Sequence, residues 1–145
     1  MRFRLLSMLA LCLLFVIRAV AGNGGPIVAG LWEGTGQAMY MDGTTAEITL
    51  VMADLYQEAD FVYGVAQFTV IVGDSTVPET QTGQMSAHIQ GNAIKGVLGG
   101  CVTTAPDCVG AAIFEGRITG NKLHGTVVDL SDGSTAVVTL NRMSD

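Results

Sequence analysis

Basic residues are scarce: seven lysines and arginines stand against thirteen aspartates and glutamates. Three of the seven, Arg2, Arg4 and Arg18, belong to the N-terminal segment, so a chain that loses that segment falls from a net charge of −6 to −9. Only Lys95, Arg117, Lys122 and Arg142 then remain as cations, and so acidic a surface repels a phosphate backbone, which excludes nucleic acid as a partner. Long apolar runs are also lacking. The one candidate, Leu5 to Ile17, is shorter than the roughly 18 to 20 residues that a spanning helix needs. Aromatics make up 6% of the chain, too few for the two girdles of an outer-membrane barrel, and stable membrane insertion is not expected. After Ala21, helical periodicity is nearly absent.

What is present at the N-terminus has the three parts of a secretory signal: Arg2 and Arg4, the apolar run, and the small residues of Ala19-Val20-Ala21. Cleavage after Ala21 leaves residues 22–145 as one domain in the periplasm or outside the cell. With Cys12 removed, Cys101 and Cys108 are an even pair in an oxidising compartment and read as a disulfide closing a short loop.

Short apolar alternations bounded by Asp42-Gly43, Gly91-Asn92, Gly120-Asn121 and Asp132-Gly133 read as strands joined by tight hairpins. Two pairs of segments echo one another around these turns. Ile89-Gln90-Gly91-Asn92 recurs as Ile118-Thr119-Gly120-Asn121, and Asp42-Gly43-Thr44-Thr45-Ala46 as Asp132-Gly133-Ser134-Thr135-Ala136. About eight strands follow, over 30–40, 44–54, 60–72, 82–90, 93–101, 109–119, 122–130 and 134–143. The fold class is all-β: an antiparallel meander that closes most economically into an up-and-down barrel, with a β-sandwich as the alternative.

The alternation also sorts side chains by face. Trp32, Gly34, Gly36, Ala38 and Tyr40 turn inward together; so do Ile48, Leu50 and Met52, then Met85, Ala87 and Ile89, and beyond them Leu98, Phe114, Val127, Leu140 and Arg142. Segment 60–72 is apolar on both faces, and its alternation leaves the choice open. If Val62, Phe68 and Val70 pointed outward, they would form a patch needing cover. The many inward glycines and alanines are compatible with a ligand cavity or with the bends that closure requires.

The opening Gly30-Leu31-Trp32-Glu33-Gly34-Thr35-Gly36, with Arg142 in the last strand, resembles the calycin-type barrels: lipocalins, fatty-acid-binding proteins, avidins and nitrobindin-type haem barrels. The resemblance implies structural roles for Trp32 and Arg142, the basic side chain packing across the indole at one end of the barrel. A nitrobindin-like haem would need an inward histidine, and parity turns both His88 and His124 outward, so no cofactor and no metal is expected. No catalytic set is legible either: no serine sits in a nucleophile turn, and Glu33, Glu47 and Glu115 fall on outward positions. The expectation is therefore an exported binding protein whose lumen, lined by Tyr40, Leu50, Met52, Met85, Leu98 and Phe114, holds a small apolar or amphipathic molecule. Its rivals are a filled barrel that docks on a protein partner or on its own copies, through the outer face or through loops 73–81 and 102–108, and a small outer-membrane barrel.

Overall fold

The computed structural model describes residues 25–72, 77–99 and 111–144. The expected signal segment, the Cys101–Cys108 pair, the loop 102–108 and half of the connection 73–81 lie outside the described residues. Eight strands follow one another along the chain: β1 (Gly30–Met39), β2 (Thr45–Glu58), β3 (Phe61–Val72), β4 (Glu79–Gln90), β5 (Ala93–Gly99), β6 (Ala112–Thr119), β7 (Lys122–Asp129) and β8 (Thr135–Arg142). Each pairs antiparallel with the next, and β8 returns to β1 to close the barrel. Closure leaves no strand with a free edge. One end, the floor, carries the starts of β1, β3, β5 and β7; the other, the mouth, carries their ends.

The turns explain the echoes. At the floor, Gly91 and Gly120 both take φ of 59°, and the carbonyls of Asn92 and Asn121 accept the amides of Ile118 and Arg142. Ala59-Asp60 is a third turn of the same build, with Ala59 at φ 54° and the Asp60 carbonyl accepting the Ile89 amide. No glycine marks this hairpin in the sequence, and β2 runs four residues beyond the expected end at 54. At the mouth, Asp42 and Asp132 each accept, at 2.8 Å, the backbone N–H two residues on, from Thr44 and Ser134. Gly43 and Gly133 supply the positive φ that these turns require.

One irregularity changes which side chains face inward. Along β2, three residue steps from Ile48 to Val51 oppose the two from Gly36 to Gly34, and Ile48 to Leu50 opposes the single step from Val70 to Thr69. The bulge inserts one residue and reverses the alternation beyond it. Ala46 and Ile48 point inward as expected, but Val51, Ala53 and Leu55 follow them, each buried, while Leu50 and Met52 turn to the other face and stay half-exposed. On β3, Val62, Ala66, Phe68 and Val70 join the interior. The outward stripe is instead Phe61, Tyr63 and Val65, about half or more exposed.

The interior is filled unevenly. The largest fully buried side chains, Trp32, Ile94, Ile118, Leu123 and Val62 among them, sit in the floor half or at mid-height. Fully burying an aliphatic side chain of this size contributes about 1.5–3 kcal/mol, so the floor half is the main store of stability. Toward the mouth the inward positions shrink: Ala46, Ala38 and Ala136 lie side by side across β2, β1 and β8, with Ala112 on β6. Most of the inward glycines serve closure, because their space is taken by a neighbouring strand. A β-carbon at Gly34 would run into the Thr139 carbonyl, one at Gly64 into that of Asp54, and one at Gly96 into that of Ser86.

Candidate functional site

The two ends of the barrel are built for different tasks. At the floor, Trp32 is paired directly with Arg142 across the β1–β8 seam, and the guanidinium carbon lies 5.8 Å from the indole centroid. The indole N–H donates to the Val28 carbonyl at 2.8 Å, and an Arg142 N–H donates to the Ala29 carbonyl. Residues 25–29 are thereby tucked beneath the barrel. Gln57 secures them from the other side: its Oε1 accepts the Val28 amide at 2.6 Å, and its Nε2 donates to the Ala59 carbonyl at 3.0 Å. Trp32 and Val28 are both fully buried, so this end is sealed.

At the mouth, the small inward side chains leave a cup of about 180 Å³. Its walls are apolar, made by Ala38, Ile48, Phe68, Val70, Leu98 and Val127, with Ala112 and Ala136 between them. Its rim is polar: Tyr40, Gln81, Asp129, Asp132, Ser134 and Thr135. Below it the lumen closes to a void of about 20 Å³ among Val51, Leu55, Met85, Phe114, Leu123 and Leu140. That is room for about one water, in an apolar lining that offers it no partner, so the lower lumen is dry core. Phe114 accounts for much of the closure, since its ring fills the space that β-carbons on Gly116 and Gly125 would need.

Two rim carboxylates are held in place. Asp129 continues the inward face of β7, opposite Ala112, and its Oδ1 accepts both the backbone N–H of Ser131 at 2.7 Å and the Ser131 hydroxyl. Asp132 is held below the usual carboxylate range by the hydroxyl of Ser134 and then by the Ser134 backbone N–H. Asp42, one turn away, is lowered in the same way by the backbone N–H and then the hydroxyl of Thr44. The neighbouring turns touch, Met41 lying against Gly133.

Of the six residues expected to line a lumen, Tyr40 and Leu98 reach the cup, and Met85, Phe114 and again Leu98 line the sealed void beneath it. Leu50 and Met52 line neither, because the β2 bulge turns them away. The sequence reading missed Phe68 and Val70, since β3 is apolar on both faces, and the rim carboxylates Asp129 and Asp132, which it passed over at the end of β7 and in a turn.

No family model matches the sequence, and no curated protein matches it. Among solved structures, the chain is similar to the isotype 1 transferrin binding protein B from serogroup B Neisseria meningitidis, with a TM-score of 0.51 and 15% identity. That alignment covers 85% of this chain and 26% of the other, so this chain spans about a quarter of its neighbour's length. Rv2717c from M. tuberculosis aligns with a TM-score of 0.46 and 17% identity, over 88% of this chain and 97% of that one. The likeness is one of fold.

The outer face carries its own chemistry. His124 hydrogen-bonds Thr139 at 3.0 Å, His88 meets the edge of Phe61, and Lys95 pairs with Glu115 at 3.0 Å with both side chains largely in water, where such pairs contribute little. Among the described residues, no three His, Cys, Asp or Glu side chains come together as a metal site. A second cavity among the described residues, about 520 Å³ beside Asp60, His88 and Gln90, lies on the outside of the floor turns, whereas the cup enters the barrel interior and is apolar below and polar above.

Proposed function

We propose that this is an exported, water-facing binding protein of calycin-like build that holds a small amphipathic molecule in the mouth cup. The observation that carries the reading is the division of the cup itself. Its walls offer an apolar surface, while the rim side chains of Tyr40, Gln81 and Thr135, which have no hydrogen-bond partner among the described residues, offer polar contacts. Cavities of roughly 150 Å³ accept a benzene-sized molecule. A single ring or short branched chain suits the cup, and a long acyl chain or retinoid would have to displace the packed core below. The calycin part of the reading is supported by the guanidinium lying over the Trp32 indole. A water-facing barrel is supported by Glu47, Asp54, Lys95, Glu115 and Arg117 projecting outward from strands whose inner face is apolar, the reverse of a bilayer-spanning barrel. Export rests on the N-terminal signal pattern, and N-terminal sequencing of protein recovered from the periplasm or medium should begin at Gly22.

The test of the cup is Ala136→Leu, which places a larger side chain between Ala38 and Val127 without touching the floor. Binding of single-ring probes, followed by calorimetry, should be lost while the circular dichroism spectrum is kept. Equal binding by both proteins would remove the cup as the site.

A second reading has its own observation. Tyr56 and Tyr63 stack at 5.8 Å on the outer face beside Phe61 and Val65, an exposed apolar group of the kind that docks on a partner or a second copy. Light scattering over a range of concentrations would reveal self-association, and Tyr63→Lys should abolish it if this face is used.

A further inference from the structure

The ends of the barrel differ in charge as well as in packing. Every basic side chain among the described residues, His88, Lys95, Arg117, Lys122, His124 and Arg142, stands within the three positions of its strand nearest the floor. The floor carries acids too, so its charge is mixed. The mouth differs. Its described residues include Asp42, Glu79, Asp129 and Asp132 and no lysine, arginine or histidine, and the connections 73–76 and 100–110 contain none in sequence. A molecule seated in the cup thus has an apolar body surrounded by hydrocarbon and a polar end beside the carboxylates of Asp129 and Asp132, with no basic side chain among the described residues of that end to offset them.

Resting on the reading that the cup is the binding site, we propose that it selects amphipathic cations, a small apolar group bearing an ammonium, and rejects carboxylates of the same shape. Three features act together. The alanine-lined wall sets the size of the apolar part. Asp129 and Asp132 are each fixed by hydrogen bonds within their own turns, so little side-chain freedom is lost when a cation arrives. An anion would meet like charge on entry, and opposed like charges discriminate against a wrong ligand more strongly than a matching pair attracts the right one.

The experiment compares three probes of one shape, 2-phenylethylamine, 2-phenylethanol and phenylacetate, by calorimetry or ligand-observed NMR on the mature protein. The amine should bind about one-and-a-half- to fivefold more tightly than the alcohol, the range expected of exposed charge pairs, and phenylacetate should bind weakest. In the double variant Asp129→Asn, Asp132→Asn, each amide oxygen can still accept the turn N–H, so the turns are kept while the amine falls to the affinity of the alcohol. Raising salt from about 10 mM to about 1 M, which shortens the screening length from roughly 30 Å to 3 Å, should weaken the amine and leave the alcohol unchanged in the unmutated protein. If the alcohol or phenylacetate binds as tightly as the amine, or if the amine keeps its advantage in the double variant, the charge preference is overturned while the cup survives as the site. If none of the three binds, the cup itself is overturned and the preference with it.

Discussion

At the scale of single residues, the floor depends on polar groups that are few and fully engaged. Val28 is completely buried, and its amide has the Gln57 side chain as acceptor. Gln57→Leu keeps the volume and removes the acceptor, leaving a buried N–H unpaired at a cost of about 1–3 kcal/mol. Thermal denaturation should show that loss, and a protease should cut residues 25–29 more quickly; an unchanged melting temperature would mean that water replaces the amide. Asp132 gives a prediction in pH. Its carboxylate is lowered by Ser134, so the stabilisation it brings is complete above the ordinary aspartate value of about 3.9 and is lost as pH falls through its own lower value. Ser134→Ala should move the Asp132 carboxyl titration, read by carbon NMR, back toward the ordinary value. Of these residues, Trp32 was legible because tryptophan is unique in the chain and stands in a recognisable opening. Gln57 was not, since it falls between the expected strands 44–54 and 60–72, where a glutamine has the signature of an ordinary connection residue.

At the scale of elements, hairpins were read where glycine marked them and missed where it did not. The three floor turns share one geometry, yet the first has Ala59 where the others have Gly91 and Gly120. A left-handed conformation costs an L-residue roughly 1–2 kcal/mol, and the extra freedom that glycine brings to the unfolded chain returns part of that. Ala59→Gly should therefore stabilise the protein by about 0.5–1 kcal/mol, measured as a higher denaturant midpoint with unchanged slope; a lower midpoint would mean that the alanine methyl is held by contacts of greater value. The β2 bulge was hidden for a different reason. Ile48 to Met52 is apolar on both faces, with Thr49 the only polar residue, so a reversal of phase within it leaves no trace in hydropathy. The trace lies further on: an unbroken alternation would have carried Asp54 inward, whereas one inserted residue carries it to water and brings in Ala53 and Leu55.

At the scale of the whole molecule, inward small residues divide into two kinds that composition alone does not separate. The alanines toward the mouth leave space, while Gly34, Gly64 and Gly96 are where neighbouring strands come too close for any side chain. A barrel of eight strands must coil tightly to close, and the β1–β8 seam joins the two ends of the meander, so it is where that demand meets the longest separation in sequence. Gly34→Ala would drive a methyl into the Thr139 carbonyl and within 2.8 Å of the Leu140 Cα, both backbone atoms that move only if β8 moves. Such overpacking costs at least about 1–3 kcal/mol, and here no side-chain rotation can relieve it. The seam should consequently open first: hydrogen exchange in the variant should show early loss of protection in the amides of β1 and β8, with β3 to β5 retained. Uniform loss across all eight strands would indicate that closure and folding are a single event, with the seam no weaker than any other pairing.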